Sequence, residues 1–232
     1  MTGPHGEQVS MIDARVSTPA LRRAYDCYSH FYGALAAPLE RKARMLALAR
    51  AGLTRQDAVL EVAVGPGVTF LEILKRVDSP QVVYGVDLSP KMLRAARRRA
   101  LGAGYAHFDL READARSLPF GDATFDVVYN SYMLDLIPLG EMPRVLSEFR
   151  RVLKPGGRLA LANFSKRAGS KTMRLYEAAY TALPARWVPY VAGGCRPVLM
   201  AGRVAQAGFH HVEQEFVPGI IPSEVVTAAR DR

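Results

Sequence analysis

Five polar side chains stand in or just beyond successive β-branched runs, at intervals a nucleoside ligand could use. Glu61 lies in VLEVAVGPG, residues 59–67. Gly65 and Gly67 in the turn that follows let backbone approach a ligand closely and take dihedrals that other residues avoid. Asp87 comes twenty residues after Gly67, where a carboxylate can accept hydrogen bonds from both hydroxyls of a ribose. Asp114, within EADARSLPF, is placed to accept from an adenine amino group. Asn130 and Tyr132 follow in FDVVYNSYML. Any one of these is ordinary, because glycine turns and strand-end carboxylates recur on most surfaces. Their joint order is what points to a nucleotide-type pocket.

Two common nucleotide sites are excluded by what stands beside these residues. A dinucleotide site sets pyrophosphate on a helix N-terminus and needs a third glycine three residues after the second for close helix packing. Phe70 occupies that position, and no Gly-Lys-Ser/Thr follows the turn to cradle phosphate. A rim of Glu61, Asp87 and Asp114 repels phosphate and suits a nucleoside carrying a sulfonium and an ammonium group.

The elements that must position these groups alternate in the manner of βαβ units on a parallel sheet. Strands are expected over residues 58–64, 82–87, 105–112, 125–130 and 158–164. Phe70, Ile73, Leu74 and Val77 follow helical spacing after the first strand. Ser89-Pro90 supplies an N-cap and first-turn proline for the next helix. Val145, Phe149, Val152 and Leu153 mark a third helix, which Pro155-Gly156-Gly157 should end. An aromatic-bearing, helix-like insert follows over about residues 171–197, then a short helix near 198–207 and two closing strands, 209–217 and 223–229. Upstream, one helix starts at Thr18-Pro19 and carries Leu21, Tyr25, Tyr28 and Tyr32; a second runs over about 39–51 and stops at Gly52. These two are expected to cap the mouth of the sheet, where ligands bind outside the carboxyl ends of the strands. The expected fold is therefore α/β, a doubly wound Rossmann-like sheet of seven strands, mostly parallel with a C-terminal antiparallel strand. A helical cap would take residues 1–52, and the main domain residues 53–232 with its insert at about 165–200.

The 232 residues are 49% hydrophobic and 23% charged, with no tract that would separate domains or stay unfolded. The opening MTGPHGEQVSMIDAR has no apolar core of a leader, and no run approaches the roughly 20 apolar residues of a spanning helix. We expect neither secretion nor a transmembrane anchor, and a cytoplasmic location. Cys27 and Cys195 lack metal-ligand spacing, so no metal site is expected. The net charge of +9, with clusters at Arg41-Lys42-Arg44 and Arg94-Arg97-Arg98-Arg99, is read first as solvated helix faces; peripheral contact with an anionic membrane stays open.

In VLEVAVGPG, VYGVDLSPKML, EADARSLPFGDATFDVVY and FRRVLKPGGRLAL the chain resembles the class I S-adenosylmethionine-dependent methyltransferases. The resemblance is greatest to the small-molecule branch with the ubiquinone/menaquinone C-methyltransferases and bacterial phospholipid N-methyltransferases. It implies S-adenosylmethionine as cofactor and S-adenosylhomocysteine as product. It also implies that Gly65 and Gly67 line the methionine part, that Asp87 holds the ribose, and that Leu88 and Met92 flank the adenine. Asp114-Ala115 would read the adenine edge, with Asn130 and Tyr25 closing the pocket. Two positions depart from the pattern: Ala63 stands where a first glycine is common, and Tyr32-Gly33 where the quinone branch repeats Tyr-Asp.

Methyl transfer is in-line displacement at a sulfonium carbon, and the protein's task is to align the nucleophile and exclude water. A base is needed only for a hydroxyl acceptor, or for a ring carbon activated through a phenolate. His30 and Asp135 are the candidate bases; neither is assigned. Tyr32, Tyr132, Tyr176, Tyr180, Trp187 and Arg196 are the candidate acceptor-side residues. The leading expectation is a small, apolar, aromatic or quinone-like acceptor. The alternatives are a phosphatidylethanolamine N-methyltransferase at a membrane surface and a non-catalytic cofactor-binding protein. Nucleic acid is not expected: Asn130-Ser131-Tyr132-Met133 is not an Asn/Asp-Pro-Pro-aromatic motif, and no RNA-binding module is visible.

Overall fold

Side chains that alternate along each central strand build two separate cores, one on each face of a single sheet. In the computed structural model, which describes residues 11–28, 37–77, 82–166, 171–191 and 193–232, β1 (Val59–Val62) sends Leu60 and Val62 to one face and Val59 to the other. Its neighbours are β2 (Val83–Asp87), β3 (Phe108–Glu112), β4 (Phe125–Ser131) and β5 (Leu153–Phe164). The hairpin of β6 (His210–Val217) and β7 (Ser223–Ala229) completes a seven-stranded sheet in the order β3-β2-β1-β4-β5-β7-β6. β1 to β5 pair in parallel, and β7 runs antiparallel to both its neighbours. This is the Rossmann-like sheet that the sequence led us to expect.

Between β1 and β4 the connections change face. α3 (Val68–Arg76) and α4 (Pro90–Gly102) pack on the Val59 side through Phe70, Ile73, Leu74, Ala96 and Ala100. α5 (Met142–Val152) packs on the Leu60 side through Val145, Leu146 and Phe149, with α8 (Ala201–Gln206) beside it through Val204. A crevice opens at such a switch point because neighbouring loops diverge.

Two elements differ from expectation. α2 (Ala37–Ala51) does not lie across the mouth with α1 (Thr18–Tyr28): it lies on the sheet, against β5 and β7. Its buried stripe of Ala43, Ala47, Leu48 and Ala51 is mostly methyl groups, which lets the helix axis come close to the strands. The second difference is Pro155-Gly156-Gly157, which ends the helix and also lies within β5. Leu153 pairs with Phe125 and Arg158 with Val127, so the intervening residues bulge out of the ladder. The Gly156 N–H is held there by the carbonyls of Arg230 and Asp231, 3.0 Å from each.

α1, α6 (Lys171–Ala182) and the short α7 (Val188–Val191) share a small apolar cluster of their own around Val16, Tyr180 and Val188. They form a roof beyond the carboxyl ends of the strands. Arg15 fastens it by donating to the carbonyls of Tyr180, Thr181 and Leu183 at the end of α6.

A buried carboxylate on β7 ties the C-terminal hairpin to α8. Glu224, fully buried, accepts from the Met200 N–H at 2.7 Å and from the Gln214 amide. Burial pushes its carboxyl up to about 7. The folded protein thus keeps a proton that the unfolded chain gives up near pH 4.5, so this group's contribution to stability is present at low pH and lost as pH rises toward 7. Glu224→Gln keeps a neutral acceptor. It is expected to melt like the parent near pH 4.5 and to gain on the order of 3 kcal/mol over it above pH 7. Urea titrations of both proteins across that range check this; a constant difference refutes it.

Candidate functional site

The crevice at the switch point is a cavity of about 1100 Å³ including the open space of its mouth. Its floor is the turn after β1. Ala63 takes φ 60° and Gly65 φ 52°, both left-handed, which explains why a first glycine is usual in such turns; an alanine there costs about 1–2 kcal/mol. Asp87, at the end of β2, accepts from the Gly65 N–H at 2.8 Å and the Ser89 N–H at 2.9 Å. Burial raises its carboxyl to about 6, and those two N–H groups hold it from rising further. Ser89 also caps α4 by accepting from the Met92 N–H at 3.2 Å.

Glu61 is 1% exposed and lines the cavity. Its Oε2 atom has no hydrogen-bond partner among the described residues. Burial raises its pKa well above the usual carboxylate range; Arg44 opposes this and Asp87 adds to it. A buried acceptor without a donor is costly, and the residue that carries this one is part of the cavity wall.

Tyr132 closes the site at the end of β4. Its φ of 51° is uncommon for a large side chain. It is held by the Ala162 carbonyl, 2.8 Å from its N–H, and by Ser223, whose Oγ lies 2.7 Å from its hydroxyl. The Arg44 guanidinium lies 5.4 Å from its ring centroid. α1 forms the outer wall with Leu21 and Tyr25. It is fastened by Arg22–Glu112 at 2.7 Å, Arg116 to Thr18 at 3.1 Å, Ser89 to Asp26 at 2.5 Å and the Tyr25 hydroxyl to the Gly193 carbonyl at 3.1 Å.

Of the residues singled out in the sequence, Tyr25, Glu61, Gly65, Asp87, Leu88, Met92, Asp114, Ala115 and Tyr132 line this one cavity. Gly67 and Asn130 do not. Gly67 begins α3 with φ 78°, and a Cβ there would lie 2.7 Å from the Ala96 Cα, so its bareness serves helix packing. Asn130 is fully buried and donates to the Val62 carbonyl at 2.9 Å, stapling β4 to β1.

Nor do the acceptor-side residues of the insert reach the cavity wall. Tyr176 packs edge-on against Phe164 and donates to the Cys195 carbonyl, while Tyr180 lies in the roof cluster. Trp187 is exposed. Arg196, fully buried, donates to the carbonyls of Asp135 and Ile137. Asp135 is fully buried; its carboxyl is raised to about 7 by burial and accepts a long 3.4 Å bond from the Phe164 N–H. His30 and Tyr32 lie outside the described residues. Among the described residues, no cluster of His, Cys, Asp and Glu could hold a metal ion.

Two electrostatic features were not legible in the sequence. Asp114 is held by Arg116 through three contacts, the shortest 2.5 Å, which lowers its pKa, so the rim carries less free negative charge than the bare sequence implies. Arg44, grouped with the solvated cluster of α2, is instead 6% exposed, bonded to Glu40 one turn earlier, and part of the cavity wall. The only sequence signal was a Glu-Arg pair at i, i+4 beside a stripe of alanines.

A glycine turn, a ribose-type carboxylate and a buried acid around a switch-point crevice define a nucleoside-binding domain of the doubly wound class. Comparison with known proteins narrows this. Residues 59–157 match the family model described as a methyltransferase domain. The chain is 31% identical over 198 residues to the ubiquinone/menaquinone biosynthesis C-methyltransferase UbiE of Syntrophotalea carbinolica, covering 78% of this chain and 80% of that protein. It is 37% identical over 123 residues to the 2-phytyl-1,4-naphtoquinone methyltransferase of Trichormus variabilis, covering 52% of each. It is 38% identical over 110 residues to the phosphatidylethanolamine N-methyltransferase of Cereibacter sphaeroides, covering 47% of this chain and 51% of the other. The last two alignments span about half the length of those relatives. In fold, the chain is similar to the [4+2]-cyclase SpnF, with TM-score 0.72 and 19% identity over 97% of this chain and 99% of that one. The chain belongs to the class I S-adenosylmethionine-dependent methyltransferases, in their UbiE-like branch.

Proposed function

We propose that the protein transfers the methyl group of S-adenosylmethionine to a small apolar acceptor of the quinone type. The observation that carries this reading is the unpartnered Glu61 Oε2 atom, buried beside Arg44 in the wall of the switch-point cavity. A buried acid and a buried guanidinium side by side are complementary to the ammonium and carboxylate of an amino-acid tail. Asp87 would take the ribose hydroxyls, Leu88 and Met92 the faces of the adenine, and Asp114-Ala115 its edge. When bound, the cofactor supplies a methyl group made electrophilic by its sulfonium. The chain's own part is to orient and to exclude water: Leu21, Tyr25 and Tyr132 enclose the mouth, and Met133, Leu136 and Ile137 line the wall beside it. These side chains favour an apolar acceptor, and similarity to the two quinone methyltransferases points the same way.

The test is calorimetric. Burial raises the Glu61 pKa well above the usual carboxylate range and an ammonium brought to it lowers that pKa, so binding of S-adenosylhomocysteine should release protons over the pH range between the two. The measured heat should then vary with the ionisation enthalpy of the buffer, and that variation should vanish in Glu61→Gln. Buffer-independent heat in the parent protein removes the role given to Glu61. Saturable affinity for NAD or ATP, with none for S-adenosylhomocysteine, would sink the whole reading. A phospholipid amine is the second acceptor reading, favoured by the similarity to the phosphatidylethanolamine enzyme. Following labelled methyl into a demethylated quinol or into phosphatidylethanolamine separates the two.

A further inference from the structure

We propose that the outer surface of α6 and α7, continued by the tip of the β6–β7 hairpin, docks on an anionic lipid surface. Few large apolar side chains of the described residues are strongly exposed; Leu101, in the last turn of α4, stands apart, and the most exposed of the others gather at one end of the molecule. Leu175 on α6 is 73% exposed, and Trp187 and Tyr190, at and just before α7, are each 53% exposed. Ile220 is 84% exposed.

Topology puts Ile220 at the same end. Ser223 pairs with Phe164, the last residue of β5, so the turn before Ser223 projects beyond the carboxyl edge of the sheet. α6 leaves from that edge as well, packing Tyr176 against Phe164. α7 rests on α1, which walls the cavity. These apolar side chains therefore lie at the same end of the molecule as the carboxyl ends of the strands, where the crevice opens.

Charge decides which partner fits. Lys171, Arg174 and Arg186 are exposed on the same segment. Its one acid, Glu177, is turned inward to Lys166 at 2.5 Å. A Trp and a Tyr among Leu and Ile, edged by cations with no exposed carboxylate between them, match the interface of an anionic bilayer: rings sit at headgroup depth and long cationic side chains reach the phosphates. No helix among the described residues is long and apolar enough to cross a membrane, so contact through α6 and α7 is peripheral.

Trp187 is the only tryptophan of the chain and reports on this surface directly. The experiment titrates the full-length protein with phosphatidylcholine vesicles, with and without phosphatidylglycerol, reading Trp187 emission and co-sedimentation. The expected result is a blue shift and sedimentation with the phosphatidylglycerol vesicles at physiological salt, reduced at high salt. The double variant Leu175→Asp/Ile220→Asp removes no core contact. It should lower vesicle affinity at least about tenfold with unchanged S-adenosylhomocysteine affinity, so this result and the cofactor reading are scored separately. Unshifted emission with no sedimentation overturns the proposal. So does equal binding to vesicles without phosphatidylglycerol, or a folded double variant that sediments like its parent.

Discussion

Asp87→Ala is expected to weaken the binding of S-adenosylhomocysteine by about 10- to 150-fold, or about 1.5–3 kcal/mol, the range for losing hydrogen bonds to a charged group. The carboxylate does two things. It holds the turn after β1 through the Gly65 N–H, and it presents negative charge to the cavity. Asp87→Asn preserves an acceptor for that N–H and removes the charge, so it should fall between parent and alanine variant. The pH dependence carries a definite sign. With its carboxyl at about 6, Asp87 is ionised above that pH and a full acceptor for ribose hydroxyls; below it, the added proton takes an acceptor position away. Parent affinity should therefore decline as pH falls through 6, and the gap between parent and Asp87→Ala should close over the same interval. Isothermal titration at several pH values measures both. A gap that stays constant from neutral pH to below 5 would remove Asp87 from ligand binding.

The second large effect separates the two glycines of the turn. Gly67→Ala forces a Cβ to within 2.7 Å of the Ala96 backbone at a φ of 78°. Left-handed strain of about 1–2 kcal/mol adds to overpacking of about 1–3 kcal/mol, so global stability should fall by about 2–5 kcal/mol. Gly65→Ala meets nothing within 4 Å and carries only the strain. Its methyl group takes up space at the cavity wall, so it should lose only the strain of about 1–2 kcal/mol in stability and bind S-adenosylhomocysteine less tightly. Denaturant unfolding and calorimetry on the pair test this; comparable stabilities for the two variants would contradict the steric argument.

These glycines show where sequence reasoning succeeds and where it stops. The turn was legible because Gly-Pro-Gly after β-branched residues has a strong local meaning, and Asp87 and Asp114 were legible because they stand at the ends of strands. The packing role of Gly67 was not legible, because a glycine required by a ligand and one required by a neighbouring helix look alike until α4 is placed against α3. Asn130 is a parallel case: a buried amide stapling two strands has the same local pattern as one facing a ligand. Arg44 was missed because its burial depends on α2 lying on β5 and β7, a long-range contact that α2's own pattern does not encode. Tyr176 and Tyr180 carried aromatic spacing that serves the small cluster of α1, α6 and α7 rather than a ligand wall.

That separate cluster has an evolutionary corollary. The strands and the turns at their ends are locked into two continuous cores, so change there is penalised whatever the ligand. The covering helices take no part in the strand ladders. Of the three only α1 also walls the cavity, so substitutions on its inner face can reshape the mouth of the crevice while the strands beneath it keep their packing.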